Sequence, residues 1–170
     1  LVSARDRLGV LRDVLGVLYS LDLRLHSVRA STTQGQEPLV LDLFTVSYGN
    51  KCLPPATAAR LENLLKLVLS GSSEVHDLVR ASGKDPIRQQ EVYDWTFRPG
   101  RPATLEVRAP RGRGLAYRMA NRITKLGWTI LGARVGQWAG AGAASFSLLG
   151  PQGKGLSLEE AQQAFGPTNV

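Results

Sequence analysis

Apolar positions along the chain follow two periods. At Val10, Leu11, Val14, Leu15 and Leu18 they recur every 3.6 residues, the spacing of an amphipathic helix. A short strand over 1–4 precedes this helix. Beyond it, His26, Val28 and Ala30 alternate with Ser27, Arg29 and Ser31, which predicts a strand over 25–32. Gln34-Gly35-Gln36 marks a turn. Over 39–46 both faces are apolar, Leu39, Leu41 and Leu43 on one and Val40, Phe44 and Val46 on the other. That strand is expected to be covered on both sides. Pro54-Pro55 opens a second helix, with Leu61, Leu64, Leu65 and Val68 as its stripe and Gly71 as its C-terminal cap. Residues 82–88 are polar and read as a linker or loop, within a boundary region at about 82–90. Residues 91–97 alternate well enough for a final strand.

The pattern then repeats. Val2-Ser3-Ala4 and Asp6-Arg7-Leu8-Gly9-Val10-Leu11 are answered 105 positions later by Val107-Arg108-Ala109 and Arg111-Gly112-Arg113-Gly114-Leu115-Ala116. Downstream, Val14 answers Met119, Leu18 answers Ile123, Leu21 answers Leu126, Leu25 answers Ile130 and Arg29 answers Arg134. The second copy therefore predicts a strand over 104–109 and a helix over 114–126, with Leu115, Met119, Ile123 and Leu126 inward. Strands over 129–137 and 143–149 follow. A short helix over 157–165 starts with Ser157 as N-cap and Glu160 at the capping-box position. Only 166–170 remain, so the last strand of a complete second copy is missing or very short. The organisation implied is one unit over 1–97 and a second over 98–170.

Composition narrows the class. The chain has 170 residues, 43% of them hydrophobic and 21% charged, enough for a core and typical of a soluble globular protein. No apolar run reaches the length of a membrane span. The chain opens on Leu1 without a basic-then-apolar leader, which fits a processed or trimmed piece. Cys52 is the lone cysteine, so an intrachain disulfide and a cysteine metal cluster are excluded, and a reducing compartment fits. The net charge is +7, and it is concentrated. Between Arg98 and Arg134 eight Arg and one Lys face a single acid, Glu106. Such a stretch is either a solvated basic face or a surface for an acidic partner.

Strand–helix–strand–strand–helix–strand with a glycine at the first strand–helix turn resembles the ferredoxin-like βαββαβ arrangement of ACT domains. Asp6-Arg7-Leu8-Gly9-Val10-Leu11 is similar to the Asp-Arg-Pro-Gly-Leu-Leu turn of that family. Arg29-Ala30-Ser31-Thr32 and Asp42-Leu43-Phe44-Thr45-Val46 resemble its second and third strands. The subgroup it looks like is the paired C-terminal ACT modules of bacterial PII uridylyltransferases, together with the ACT-repeat proteins of plants and algae. The resemblance implies an α+β fold of two such modules in tandem, the second truncated or degenerate. It also implies a regulatory, allosteric role of the kind found in nitrogen metabolism. In that family the turn and first helix bind a small effector, commonly an amino acid, at an interface between two modules. Backbone N–H groups at a helix N-terminus suit a carboxylate, and a glycine allows close approach. Carried onto this chain, the effector residues are Asp6, Leu8, Gly9, Val10 and Leu11, with His26 on the bordering strand. The chain departs from the family where Leu8 replaces proline, where Arg111 answers Asp6, and where Asp42 has no counterpart. Residues 137–144 are Gly- and Ala-rich. These departures fit a second copy that keeps the fold and has lost the ligand, leaving Gly114 and Leu115 as backbone contacts.

Catalytic patterns fail. His26 and His76 lie in different elements and share no metal-ligand spacing with other acids. Neither a Gly-x-Ser-x-Gly elbow nor a phosphate loop at Gly153-Lys154 is present. Glu159-Glu160 suits a helix start rather than a catalytic pair. Trp95, Trp128 and Trp138 read as core or interface residues. The expectation is a non-enzymatic regulatory pair without cofactor or metal, binding an amino acid and signalling to a partner protein or enzyme. The alternative is an interaction subunit that docks through Arg98, Arg101, Arg108, Arg111, Arg113, Arg118, Arg122 and Lys125 to RNA, a ribosome or an acidic protein complex. Internal pairing of the modules or a homodimer would cover sheet edges. The location expected is cytoplasmic, or a plastid or mitochondrion after removal of a targeting segment.

Overall fold

The computed structural model describes residues 1–33, 39–85, 94–110, 113–138 and 141–166, with Gln137 and Trp138 described by backbone alone. Its elements run β1 (Val2–Arg5), α1 (Val10–Ser20), β2 (Arg24–Thr32), β3 (Leu39–Ser47), α2 (Pro55–Leu69), α3 (Val75–Ala81), β4 (Asp94–Arg98), β5 (Ala103–Ala109), α4 (Leu115–Lys125), β6 (Thr129–Trp138), β7 (Ala141–Leu149) and α5 (Leu158–Phe165). The turn at 34–36, residues 86–93 of the linker and strand, Arg111-Gly112 and residues 167–170 lie outside the described residues, as does the Trp138 side chain.

The architecture is α+β. Seven strands form one antiparallel sheet in the order β1-β3-β2-β6-β7-β5-β4. Helices α1 and α4 cross the middle of one face and touch each other. Each is amphipathic, and Val10, Leu11, Val14, Leu15, Leu18, Leu115, Met119 and Ile123 are buried as their spacing predicts. Leu126 departs from that set at 38% exposure, because α4 ends at Lys125. Helix α2 opens on Pro55, where a missing N–H costs nothing, and Gly71 follows its end with φ +78°. Helix α5 carries the full capping box: the Glu160 N–H donates to Ser157 Oγ and the Ser157 N–H donates to the Glu160 carboxylate. Among the described residues, no helix is long and apolar enough to cross a membrane.

The repeat is visible in the register. Arg29 on β2 pairs with Arg134 on β6, its own counterpart 105 positions on. The two strands therefore meet across a local pseudo-dyad. A β-bulge interrupts β2 at His26 and β6 at Leu131, again 105 positions apart. Likewise Val2 pairs with Asp42, and Val107 with Ala144. Strands β3 and β7 correspond at an offset of 102, three residues having been lost from the second hairpin.

Three features depart from the sequence reading. Strand β3 is covered on one face alone: Val40 and Asp42 are buried, while Leu39, Leu41 and Leu43 are 41%, 38% and 50% exposed. The helices occupy one side of the sheet, so the second apolar face of β3 looks outward. Strand β4, expected to close the first unit, instead pairs with β5 at the far edge of the sheet, beyond the strands of the second half. It takes the edge position beside β5, where a fourth strand of the second unit would lie. Trp95 of β4 lies 5.9 Å from Phe165 of α5, ring to ring, and both belong to the main core that the two halves share. Finally, helix α3 was not expected; Val75 and Val79 bury its single apolar stripe against α1.

Candidate functional site

Each strand–helix turn lies against the other half of the molecule, so the pseudo-dyad generates two related pockets. The first is lined by residues 6–12 at the start of α1, by Ala30, Ser31, Thr32, Val40 and Asp42 of the same half, and by Thr124 and residues 128–131 of the other half. The second is lined by Gly114, Leu115, Ala116 and Tyr117 at the start of α4, by Val135, Gly136, Gly142 and Ala143, and by Tyr19 and residues 22–25 from the first half. Tyr19, Leu23, Arg24 and Leu25 are the counterparts of Thr124, Trp128, Thr129 and Ile130. The pairing of the two sites thus holds wall by wall.

Their sizes differ. The first has a volume of about 30 Å³, room for one or two waters. The second has about 430 Å³, the scale of a small-molecule pocket. Two wall positions explain the difference. Trp128 of the first site is Leu23 in the second, and Val40 is Gly142. The reverse exchange, Thr124 to Tyr19, sets a ring against Gly114, where an added Cβ would meet Tyr19 at 2.7 Å and Arg118 at 2.6 Å.

The large cavity joins an apolar body to a polar rim. Leu15, Leu18, Leu23, Leu25, Leu115 and Val135 supply the body. At the rim Arg113 pairs with Asp22 at 2.9 Å, and the Arg24 guanidinium donates to Asn50 Oδ1 at 3.1 Å. Gly114 caps α4 at φ +75°, and the Arg118 N–H donates to the Gly114 carbonyl at 3.0 Å. The first-turn amides of residues 115–117 therefore have no partner within the helix. Those amides, with the positive end of the helix dipole, form a seat for an anion. Tyr117 floors the cavity, and its hydroxyl is 3.2 Å from His76 Nδ1 on α3. Burial pushes the Tyr117 phenol up to about 12 and keeps it neutral. Burial also lowers His76, assisted by Lys125, Arg80 and Arg12.

The small pocket has a different character. Asp42 at its wall is fully buried, and neither carboxylate oxygen has a side-chain or ion-pair partner among the described residues. Burial pushes it up to about 6; the nearby Ser31 backbone opposes the shift and Asp6 adds to it. Asp13, also buried, is satisfied by Arg7 at 2.7 Å and Arg12 at 2.6 Å.

The candidate effector residues thus divide. Asp6, Leu8, Gly9, Val10 and Leu11 line the small pocket, and Gly114 and Leu115 line the large one. His26 lines neither; it is exposed in the β2 bulge, with Nε2 2.8 Å from Ser47 Oγ. The basic residues are spread over several elements. Arg98 pairs with Glu106, and Arg113 with Asp22. Arg118 is 5% exposed and its guanidinium sits 5.9 Å over the Tyr19 ring. Arg122 donates to the Ala164 carbonyl and lies 5.2 Å over Phe165. Arg108 shares a shallow surface with Glu106 and Arg134, Arg101 and Lys125 are exposed, and Arg111 is outside the described residues. Tyr19, Leu23, Asn50 and Tyr117 were missed from sequence. For Tyr19, Leu23 and Tyr117 the signal was the repeat itself, which maps the wall of one site onto the other. Among the described residues, no three His, Cys, Asp or Glu side chains gather as metal ligands.

No family model, curated protein or solved structure matches the chain.

Proposed function

We propose that the chain is a non-catalytic regulatory pair of ACT type, built from two βαββαβ-like halves. Its effector site is the cavity between α4 and the Tyr19 to Leu25 segment. The order β6-β7-β5-β4, with α4 and α5, supports reading the second half as a ferredoxin-like unit whose last strand comes from the connection between the halves. The observation that carries the functional reading is the cavity of about 430 Å³ at a helix N-terminus between the two repeats. A small carboxylate with an apolar body fits it. The carboxylate would meet the first-turn amides of α4 beside Arg113, and the apolar part would lie among the leucines. An amino acid with a branched or aromatic side chain belongs to this class, with Asp22 and Asn50 placed for its ammonium group. Because both halves line the cavity, a ligand that prefers one relative orientation of them would shift that equilibrium for a partner protein to sense.

Thermal unfolding against a panel of amino acids and their deaminated carboxylates tests this reading. The expected outcome is a saturable rise in Tm with one apolar member, lost in Leu23→Trp and Gly142→Val, which copy the first site into the second. Asp6→Ala should leave the response intact. A response unchanged by the two cavity-filling variants, or none to any member, would overturn the reading.

A second reading, docking to an anionic partner, is favoured by one feature of the open sheet face. Arg29 and Arg134 stand directly opposite each other there. Binding that falls steeply with salt and is lost in Arg134→Glu would support it.

A further inference from the structure

The small pocket at the start of α1 is a separate site with its own chemistry. Asp42 is fully buried on β3; its carboxylate oxygens have no side-chain or ion-pair partner among the described residues, and the Ser31 backbone nearby only partly favours the ionised form. An ionised carboxylate left so in a protein interior is costly unless a cation or donor meets it. The pocket it lines holds about 30 Å³, the space of one or two water-sized particles. Asp6, exposed, stands at the same pocket and acts on Asp42 as a like charge.

The charges around the pocket leave this demand unmet. Arg7 and Arg12 also line it, but both guanidinium groups are drawn to Asp13, at 2.7 and 2.6 Å. From β2 and β3 come Ala30, Ser31, Thr32 and Val40, and from the second half Thr124 and residues 128–131, none of them ionisable. The Ser31 hydroxyl is already committed to the Leu41 carbonyl, and the Thr124 hydroxyl to the Ala120 carbonyl. The N-terminus of α1, capped by Gly9 at φ +92°, favours the ionised form of Asp42 and supplies no positive ion of its own. Asp42 and Asp6 both line a space too small for an organic effector. Arg7 and Arg12 line the same pocket, so the negative charge left to neutralise is small, and no three-ligand cluster of His, Cys, Asp or Glu lies among the described residues.

The geometry points to a monovalent-cation site at Asp42 and Asp6, sized for potassium, sodium or ammonium, at the seam between the two repeats. The cation neutralises the Asp42 carboxylate and pins the first turn of α1 to the start of β6. A proton competes for the same carboxylate, so the cation acts in neutral and alkaline solution and fades in acid.

Thermal unfolding of the whole chain at pH 8 tests this in KCl, NaCl or NH4Cl against tetramethylammonium chloride at equal ionic strength. Tetramethylammonium is too large for the pocket. The expected result is a higher Tm with at least one small cation, saturating with concentration and shrinking at pH 5. Asp42→Asn, which keeps the shape and removes the charge, should abolish the difference between cations. Asp6→Asn should move its midpoint to higher concentration and serves alone if Asp42→Asn does not fold. Identical curves in all four salts, or a cation difference that survives in both variants, would overturn the site. Neither outcome touches the effector cavity, which Leu23→Trp probes independently.

Discussion

Arg29 and Arg134 face each other across β2 and β6, and each holds the same place in its own repeat. The pseudo-dyad therefore passes between two like charges. Cross-strand neighbours of the same sign repel, at a cost of about 0.2–1 kcal/mol. Replacing one by an acid converts repulsion to attraction. Arg134→Glu is expected to raise stability by about that amount in urea unfolding, with the gain shrinking as salt is added. An equal loss of stability would mean that the pair is held by a group on the open face.

On the opposite side of the sheet the seam is closed by α1 against α3 and α4, and Gly16 sets that approach. A Cβ added there would lie 2.3 Å from Val75 Cγ2 and 2.8 Å from the Tyr117 ring. Gly16→Val should therefore cost about 1–3 kcal/mol through overpacking. Gly16→Ala should cost less, since it adds one carbon at these contacts and valine adds three. Chemical denaturation reads both, and a neutral Gly16→Val would show that the helices do not pack this closely.

How much of this was legible in the sequence depends on the range of the interaction. Helix α1 and the repeat were readable because Val10, Val14 and Leu18 carry their periodicity locally. The capping box at Ser157 and Glu160 was readable for the same reason. The two faces of β3 were not, since Leu39, Leu41 and Leu43 are as apolar as Val40 and Phe44. Only the placement of helices decides which face is covered. Helix α3 has seven residues, too short for a convincing period. The destination of β4 was illegible because strand pairing is non-local, and its alternation is the same beside either half. Residues 137–144 carried a signal open to two readings. Their Gly- and Ala-rich run reads as decay of a site, and the same Gly142, in place of Val40, lines the wider of the two pockets.

Asp42 gives the stability a pH dependence whose sign can be worked out. Its pKa rises from 3.8 to about 6 on folding, so the folded state holds the proton more tightly. The favourable contribution is fully present below pH 4 and is lost as pH rises through 6. A shift of about two units corresponds to roughly 3 kcal/mol. In a buffer of bulky cations, Asp42→Asn should match the parent protein at pH 4 and be the more stable at pH 8. Unfolding curves at the two pH values check this. A parent protein that gains stability relative to Asp42→Asn between pH 4 and pH 8 would mean that Asp42 is paired rather than stranded.

The large cavity has a cost in stability. Gly142 lies in β7, where glycine loses more backbone entropy than any other residue and has no side chain to pack. Its counterpart Val40 is 6% exposed, so the equivalent position in the first half buries a branched side chain comfortably. Gly142→Val should recover about 0.5–1 kcal/mol of backbone cost, plus part of the roughly 1.5–3 kcal/mol that burying a valine contributes. The variant is therefore expected to have a higher Tm than the parent protein without ligand and a weaker response to the effector. Both quantities come from the same thermal scans, with and without ligand. A drop in stability instead would show that the space beside Gly142 is not apolar void but is closed by the backbone of β6.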